Sequence, residues 1–385
     1  MMHRLITDTD SLRAVCERFA HCEYVTVDTE FIREKTYYPK LCLVQLASAE
    51  DEVAVDPLAK AIDLSPLFAL LANPSVVKVF HAAKQDVEIF YQLSGSIPTP
   101  LYDTQIAAMV CGYGESIGYE ALVNTIVSAS LDKASRYTDW EQRPLTQRQV
   151  DYAIADVTHL RGVYESLRDQ IAKQGRTEWI AEEMAQMGHA DSYEVHPEEM
   201  WRRLKYNNRS SSYLNLLRAA AAWRERTAMR KDIPRGRLLK DEVLLQIASM
   251  NPKTVEDMAQ VRGALKHISG DNAKSLLEAL EEARSLPKEA HPKDEKRKKL
   301  LNADQDVIVD VLRMLLKLQS EKHHVATKLI ANKEDLASLV LGKDVPCLHG
   351  WRFEVFGQLA QDFMSGQLQL RVDATGGVLF ERSAA

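Results

Sequence analysis

At 385 residues the chain is long enough for two or three domains, and 45% hydrophobic with 27% charged residues is the make-up of a soluble globular protein. No run approaches the eighteen or so uncharged apolar residues of a membrane helix, and Met1–Asp10 holds no apolar stretch of the signal-peptide kind. Cys16, Cys22, Cys42, Cys111 and Cys347 form no CxxC pair and no zinc spacing, so reduced thiols in a cytoplasmic protein are expected.

In chain order, residues 5–20 read as a short strand and then a helix capped by Asp10 or Ser11. Strand-like runs follow at 24–30, 41–47 and 53–56, with connections short enough for an antiparallel meander. A helix over 64–72 stops at Pro74, a β-branched run at 76–80 reads as a strand, and a helix spans about 84–93. A short strand at 101–103 leads into a helix through Cys111. Two further helices cover about 118–128 and 146–173, the second opened by a Thr146/Gln149 capping box. Strands in a meander, then strands alternating with helices, predict an α/β mixed sheet flanked by helices over residues 1–195.

After Pro197 the strand signal nearly disappears. Residues 210–285 read as four or five short amphipathic helices, broken near Pro234–Gly236, at Asn251–Pro252 and at Gly270. Residues 286–300 read as a polar, Lys-rich linker. Residues 302–365 are again helical, with breaks near Asn332 and 342–346. A degenerate repeat is suggested by Lys240–Ala248 before an Asn-Pro turn and Val325–Ala331 before Asn332. Between Trp201 and Lys240, twelve Lys or Arg face only Glu225 and Asp232, in a chain of net charge −6. Nine of the twelve are Arg, whose planar fork suits phosphate. A polyanion partner and a solvated helix face both remain open readings.

The chemistry is carried by acids at the ends of regular elements. Asp28 and Glu30 end an alternating strand and share one of its faces, while Thr29 points the other way. Asp86 follows the 76–80 strand. Tyr152 and Asp156, four apart on a helix, share a face. Four carboxylates and no suitably spaced His or Cys suit a pair of hard divalent ions, Mg²⁺ or Mn²⁺, of the kind that hydrolyse phosphodiesters. A tyrosine beside them could orient the attacking water or accept its proton.

Other residues carry two readings. Phe31 could stack on a terminal base or pack in the core, and His81 could touch the terminal nucleotide or be structural. Trp140 and Arg143 could line the mouth of the site. Asp103 reads as a helix cap with Gln105 or Ile106 beyond it rather than as a fifth acid. Tyr37-Tyr38-Pro39 reads as a turn first and a substrate contact second. Trp223 reads as core, and Arg224 and Arg226 as candidate phosphate contacts. The Lys-rich run at 296–299 would add nonspecific attraction to nucleic acid.

The order Asp28-Thr-Glu30-Phe31, Asp86, Tyr152-x-x-x-Asp156 is the pattern of the DEDDy 3′→5′ exonucleases, and over essentially its whole length the chain resembles the ribonuclease D family. The matching stretches include Val27-Asp-Thr-Glu-Phe31, Thr36-Tyr-Tyr-Pro-Lys-Leu41 with Gln45, His81-Ala82 before Asp86, Tyr102-Asp-Thr-Gln105 and Leu131-Asp-Lys133. The most specific are Thr138-Asp-Trp-Glu-Gln-Arg-Pro-Leu-Thr146 and Tyr152-Ala-Ile-Ala-Asp-Val157. The resemblance implies an RNase H-like exonuclease domain over 1–195, with Asp28, Glu30, Asp86 and Asp156 holding two metal ions and Tyr152 positioning water. Thr29, Phe31, His81, Trp140, Arg143, Arg224 and Arg226 would meet the substrate. That substrate would be RNA with a free 3′ end, tRNA precursors in particular, cut to 5′-mononucleotides by a monomer that needs no membrane and no organic cofactor.

Residues 208–287 resemble an HRDC domain, a small helical nucleic-acid-binding module. Beyond a linker at 288–300, residues 301–380 look like a second, diverged copy. One departure is Lys84-Gln85 before Asp86, where polymerase proofreading relatives usually place Asn and an aromatic residue. A DNA exonuclease and a catalytically inactive nucleic-acid scaffold are the rival readings. A helicase is excluded by the lack of any GxxxxGK[ST] loop.

Overall fold

The computed structural model describes residues 4–131, 138–264, 268, 270–293 and 301–382. The Asp132-Lys133 part of the family motif and the Lys-rich run at 296–299 lie outside the described residues. The described residues divide into two compact units: residues up to 29, 43–189 and from 301 on form one, and 30–42 with 190–293 form the other.

The first unit is built on a six-stranded sheet in the order β1-β4-β3-β2-β5-β6. The strands are β1 (Arg4–Ile6), β2 (Tyr24–Ile32), β3 (Lys40–Ala47), β4 (Glu52–Val55), β5 (Val77–Phe80) and β6 (Leu101–Asp103). β3 and β4 pair antiparallel, while β1/β4, β2/β5 and β5/β6 pair parallel, so the sheet is mixed as the order of elements predicts. The central strands are buried on both faces: Val25, Val27, Leu43, Val44 and Leu46 have no exposed surface, which is why β3 reads as a continuous apolar run rather than an alternating one.

Around the sheet lie α1 (Thr9–Phe19), α2 (Ser65–Ala72), α3 (Lys84–Ser94), α4 (Thr104–Val110), α5 (Tyr119–Val127), α6 (Gln147–Lys173) and α7 (Thr177–Met187). Two details differ from expectation. The α1 cap is Asp8, whose carboxylate accepts from the Ser11 amide at 2.8 Å, because Thr9 and Asp10 are already helical. Helix α7, absent from the sequence reading, starts right after α6, and the left-handed Gly175 makes the turn between them.

The second unit has its own core of Trp201, Leu214, Leu217, Leu244, Ile247, Leu276 and Leu280. It comprises α8 (Ser211–Lys231), α9 (Arg235–Leu238), α10 (Asp241–Met250), α11 (Val255–Gln260) and α12 (Asp271–Ser285). α8 is not short: Ala219 to Ala222 offers no break and the helix runs for 21 residues. Within this unit the Tyr37 hydroxyl donates to Glu225, and the Tyr37 and Tyr38 amides donate to Asp232 at 3.0 and 3.1 Å, so Tyr37-Tyr38 is a docked turn.

The C-terminal part of the first unit carries α13 (Ala303–His323), α14 (Thr327–Ile330), α15 (Lys333–Val340) and α16 (Gln358–Met364), then an antiparallel hairpin of β7 (Leu368–Val372) and β8 (Val378–Arg382). The hairpin escaped the sequence reading because most of its residues are exposed and show no burial alternation. Its turn signal was present: in Asp373-Ala-Thr-Gly-Gly377 the Asp373 carboxylate accepts from the Thr375 and Gly377 amides, each at 2.8 Å. Among the described residues no helix is long and apolar enough to cross a membrane.

Candidate active site

The parallel pairing of β2 with β5 sets Asp28 and the end of β5 at one edge of the sheet, and α6 crosses them. Thr26, buried in β2, donates its hydroxyl to the Val157 carbonyl of α6 at 2.8 Å and to Ala47 at 3.2 Å. Tyr119, at the start of α5, donates its hydroxyl to the adjacent Asp156 carbonyl. Two hydroxyls thus pin α6 at the turn that bears Asp156. The helix begins where expected, at Thr146 with a complete Gln149 capping box.

These elements enclose a cleft of about 380 Å³ lined by Asp28, His81, Tyr119, Tyr152, Asp156 and Leu160, among others. Asp86 is buried in the first turn of α3 and accepts a hydrogen bond from the Thr29 hydroxyl. Burial, then the Asp156 carboxylate, pushes Asp28 well above the usual carboxylate range. Burial, then Asp28, does the same to Asp86, while the Thr29 hydroxyl works in the other direction. Burial and mutual repulsion both oppose ionisation of these acids, and a cation between them would relieve both.

The donor set therefore fits a hard divalent cation: carboxylate oxygens whose mutual repulsion and burial a positive charge would relieve. Among the described residues no three His, Cys, Asp or Glu side chains are already drawn into a closed ligand cluster. Mg²⁺ binds through one or two carboxylates, several waters and substrate phosphates, so an open set is compatible with it.

His81 faces the cleft from the β5–α3 turn. The Thr104 hydroxyl donates to the Phe80 carbonyl at 3.0 Å, so it accepts from His81 Nδ1, also at 3.0 Å. Nε2 is buried, and the ring also interacts with the Ile117 backbone. Burial lowers the His81 pKa, which keeps the ring neutral. The turn itself is held by Asp103, whose carboxylate accepts from the Ala82 amide at 3.0 Å, the Ala83 amide at 2.8 Å and the Gln105 amide at 2.8 Å. It caps α4 as expected and also steadies Ala82 at φ +57°, a left-handed conformation costly for a residue with a Cβ.

The chain is similar to proteins already known. A 3′-5′ exonuclease family model matches residues 3–172, and an HRDC domain model matches residues 214–280. Ribonuclease D of Granulibacter bethesdensis is 48% identical over 372 residues, covering 96% of this chain and 94% of that one. The chain belongs to the ribonuclease D family. Ribonuclease D of Jannaschia sp. is 47% identical over 375 residues, covering 96% of this chain and 97% of that one. The crystal structure of Escherichia coli RNase D, an exoribonuclease involved in structured RNA processing, superposes with a TM-score of 0.80 at 30% identity, covering 95% of this chain and 99% of that one. As a family member the chain is a hydrolytic 3′→5′ exoribonuclease in a metal-dependent exonuclease fold.

Of the residues expected to act, Asp28, His81, Tyr152 and Asp156 share the cleft, and Asp86 lies close enough to feel Asp28. Glu30 and Phe31 are half-buried near the end of β2, Glu30 on the Asp28 face by strand alternation. Thr29, expected to meet substrate, gives its hydroxyl to Asp86 instead. Trp140, expected at the mouth of the site, is buried instead, its ring centroid 6.2 Å from that of Tyr152. Arg143 forms a bidentate pair with Asp56, both contacts 2.7 Å, and donates to the Trp140 carbonyl at 2.8 Å. It clamps the loop that presents Trp140, which is a structural duty in place of the expected substrate contact.

In the helical unit Arg224 is buried and donates to the Leu239 carbonyl at 2.8 Å and to Asp241 at 2.7 Å, so it does not face phosphate as expected. Arg226 is exposed and ion-paired with Glu198. Trp223 is core, its indole N–H on Ser275 at 2.9 Å. Sequence reasoning missed Thr26 and Tyr119, whose hydroxyls reach carbonyls more than thirty residues away; no local pattern signals such contacts.

Proposed function

We propose that the cleft trims RNA one nucleotide at a time from a free 3′ end, releasing 5′-mononucleotides, with 3′-extended tRNA precursors as substrates. In this reading Asp28, Glu30, Asp86 and Asp156 hold two divalent ions, Mg²⁺ or Mn²⁺. When bound, such ions supply a deprotonated water and neutralise charge on the attacking and leaving oxygens. Tyr152 orients the water. His81, on the wall of the cleft, meets the terminal nucleotide. The HRDC-like regions, 208–287 and a diverged copy over 301–380, would hold the structured body of the RNA. The protein would act as a monomer in the cytoplasm.

The observation that carries this reading is the placement of half-buried Asp28 with Tyr152 and Asp156 in one cleft, beside buried Asp86, where burial and acidic neighbours push the Asp28 and Asp86 carboxyls up. The test is product analysis on a 3′-extended tRNA precursor with Mg²⁺ or Mn²⁺, alongside 3′-labelled RNA and DNA oligonucleotides of one sequence. Asp28→Asn should lower the rate about 10³-fold or more, since metal charge stabilisation amounts to several kcal/mol. Tyr152→Phe should lower it about 10²-fold, at the low end of general-base effects. Unchanged mononucleotide release by Asp28→Asn would sink the assignment, and faster DNA cleavage would replace the substrate.

A further inference from the structure

Beside the catalytic cleft opens a second cavity of about 240 Å³, sharing Leu131, Tyr152 and Asp156 with it and adding Arg148, Asp151 and Ala155. Arg148, Tyr152 and Asp156 recur every four residues along α6 and so share a face. From Arg148 to Asp156 is about 12 Å along the helix axis. Among the described residues lining the two cavities, Arg148 is the one Lys or Arg. Its side chain is exposed, within reach of a strand arriving from solvent. It also sits in the first turn of a 27-residue helix, where the dipole favours anions. Two acids share this cavity with Arg148: Asp156, and Asp151, which also accepts from Gln147 Nε2 at 2.7 Å.

We propose that Arg148 binds the phosphate next to the scissile one on its 5′ side, which makes the second cavity the subsite of the penultimate nucleotide; this rests on the reading above. A strand with a free 3′ hydroxyl has no phosphate on the 3′ side of the scissile one. A second phosphate at this site must therefore lie upstream, so the Arg148 cavity takes the upstream nucleotide. The larger cavity, walled by Tyr119 and His81, takes the terminal one. A guanidinium suits the task because it meets two phosphate oxygens at once, which an ammonium cannot do.

The test uses the full chain with Mg²⁺ and an oligoribonucleotide whose phosphate adjoining the scissile one is either normal or an uncharged methylphosphonate, the neighbouring ribose being 2′-O-methylated to keep that linkage stable. For the wild type, the methylphosphonate should lower kcat/KM about tenfold, the scale of one charge-assisted contact. Arg148→Gln should lose about the same factor on normal RNA, chiefly through KM, and lose nothing more on the methylphosphonate. Arg148→Lys should fall between. RNA affinity in chelator, read by fluorescence anisotropy, should follow the same order. Losses that multiply when the two changes are combined, or a wild type indifferent to the methylphosphonate, would overturn the proposal. Asp28→Asn on normal RNA is scored separately: full activity there removes the metal-site reading, whereas the methylphosphonate pairing reads Arg148 alone.

Discussion

Helices α8 and α13 are both 21 residues long, end on a left-handed residue (Asp232 and His324) and run into four-residue helices, α9 and α14. Through the start of the next helix, α10 or α15, each element of the C-terminal region begins 92 residues after its counterpart. The repeat expected from sequence is thus one element out of step: Lys240–Ala248 belongs with the helix after Asn332, not with Val325–Ala331. The shared plan serves two ends. In the first region the left-handed Asp232 receives the Tyr37 and Tyr38 amides, and three of the basic residues are met by acids: Arg226 by Glu198, Arg202 by Glu199, Arg235 by Glu225. In the second, the His324 carbonyl accepts from Arg176 at 3.0 Å, and Glu115 caps α14 by accepting from the Thr327 and Lys328 amides at 2.8 and 3.0 Å. Trp351 stacks on Trp179 at 4.3 Å, and Arg352 pairs with Glu183. A common core specifies the helices; the residues at one cap specify what they lean on.

The sharpest way to break this contrast is Arg352→Met. Arg352 and Glu183 are both buried, and removing one partner of a buried pair costs about 3–5 kcal/mol. Burial already raises the Glu183 pKa even with Arg352 beside it. The folded form therefore holds more protons than the unfolded one, and stability falls as pH climbs above the ordinary Glu value. Loss of Arg352 widens that window, so thermal melts should show a small deficit near pH 5 and the full deficit near pH 8. Adding Glu183→Gln should recover part of it. A deficit that does not vary with pH would show that the ion pair is not what docks the C-terminal helices.

Gly112→Ala comes next. Gly112 has φ +84°, and an added Cβ would stand 2.7 Å from the His324 carbonyl oxygen. Left-handed strain of about 1–2 kcal/mol and overpacking of about 1–3 kcal/mol together predict a loss of about 2–5 kcal/mol in chemical denaturation. A silent Gly112→Ala would mean that α13 does not rest on this loop in solution.

These docking residues also mark the limit of what the sequence discloses. The mixed sheet, the α6 capping box and the order Asp28, Asp86, Tyr152, Asp156 are legible because strand alternation, helix spacing and capping act over a few residues. Gly112, Glu115 and Arg352 mean nothing without partners some 170 to 210 residues away. Arg143 and Arg224 read as substrate contacts because an Arg in a motif or a basic run shows only its charge. Their partners, Asp56 and the Leu239 carbonyl, are fixed by tertiary packing.

Arg224→Leu sharpens the comparison by copying one region into the other. The residue 92 places on is Leu316, equally buried in α13. The substitution keeps the volume filled but leaves the Leu239 carbonyl without its donor, so a loss of about 1–3 kcal/mol is expected. RNA cleavage by the folded variant should be unaffected.

The smallest effect belongs to Arg226→Ala. Its side chain and that of Glu198 are 54% and 57% exposed, and such pairs contribute about 0–1 kcal/mol. Because the pair is neutral, Arg226 adds little to phosphate attraction while Glu198 is beside it, and its removal should scarcely move the salt dependence of RNA binding. Glu198→Gln is the change that matters: it leaves the Arg226 charge uncompensated and should steepen the log–log salt slope by roughly one counterion. If Arg226→Ala alone lowers that slope by a full unit, Arg226 already leaves Glu198 for phosphate. The basic stretch of the first helical region would then be an RNA surface rather than a set of internal ion pairs.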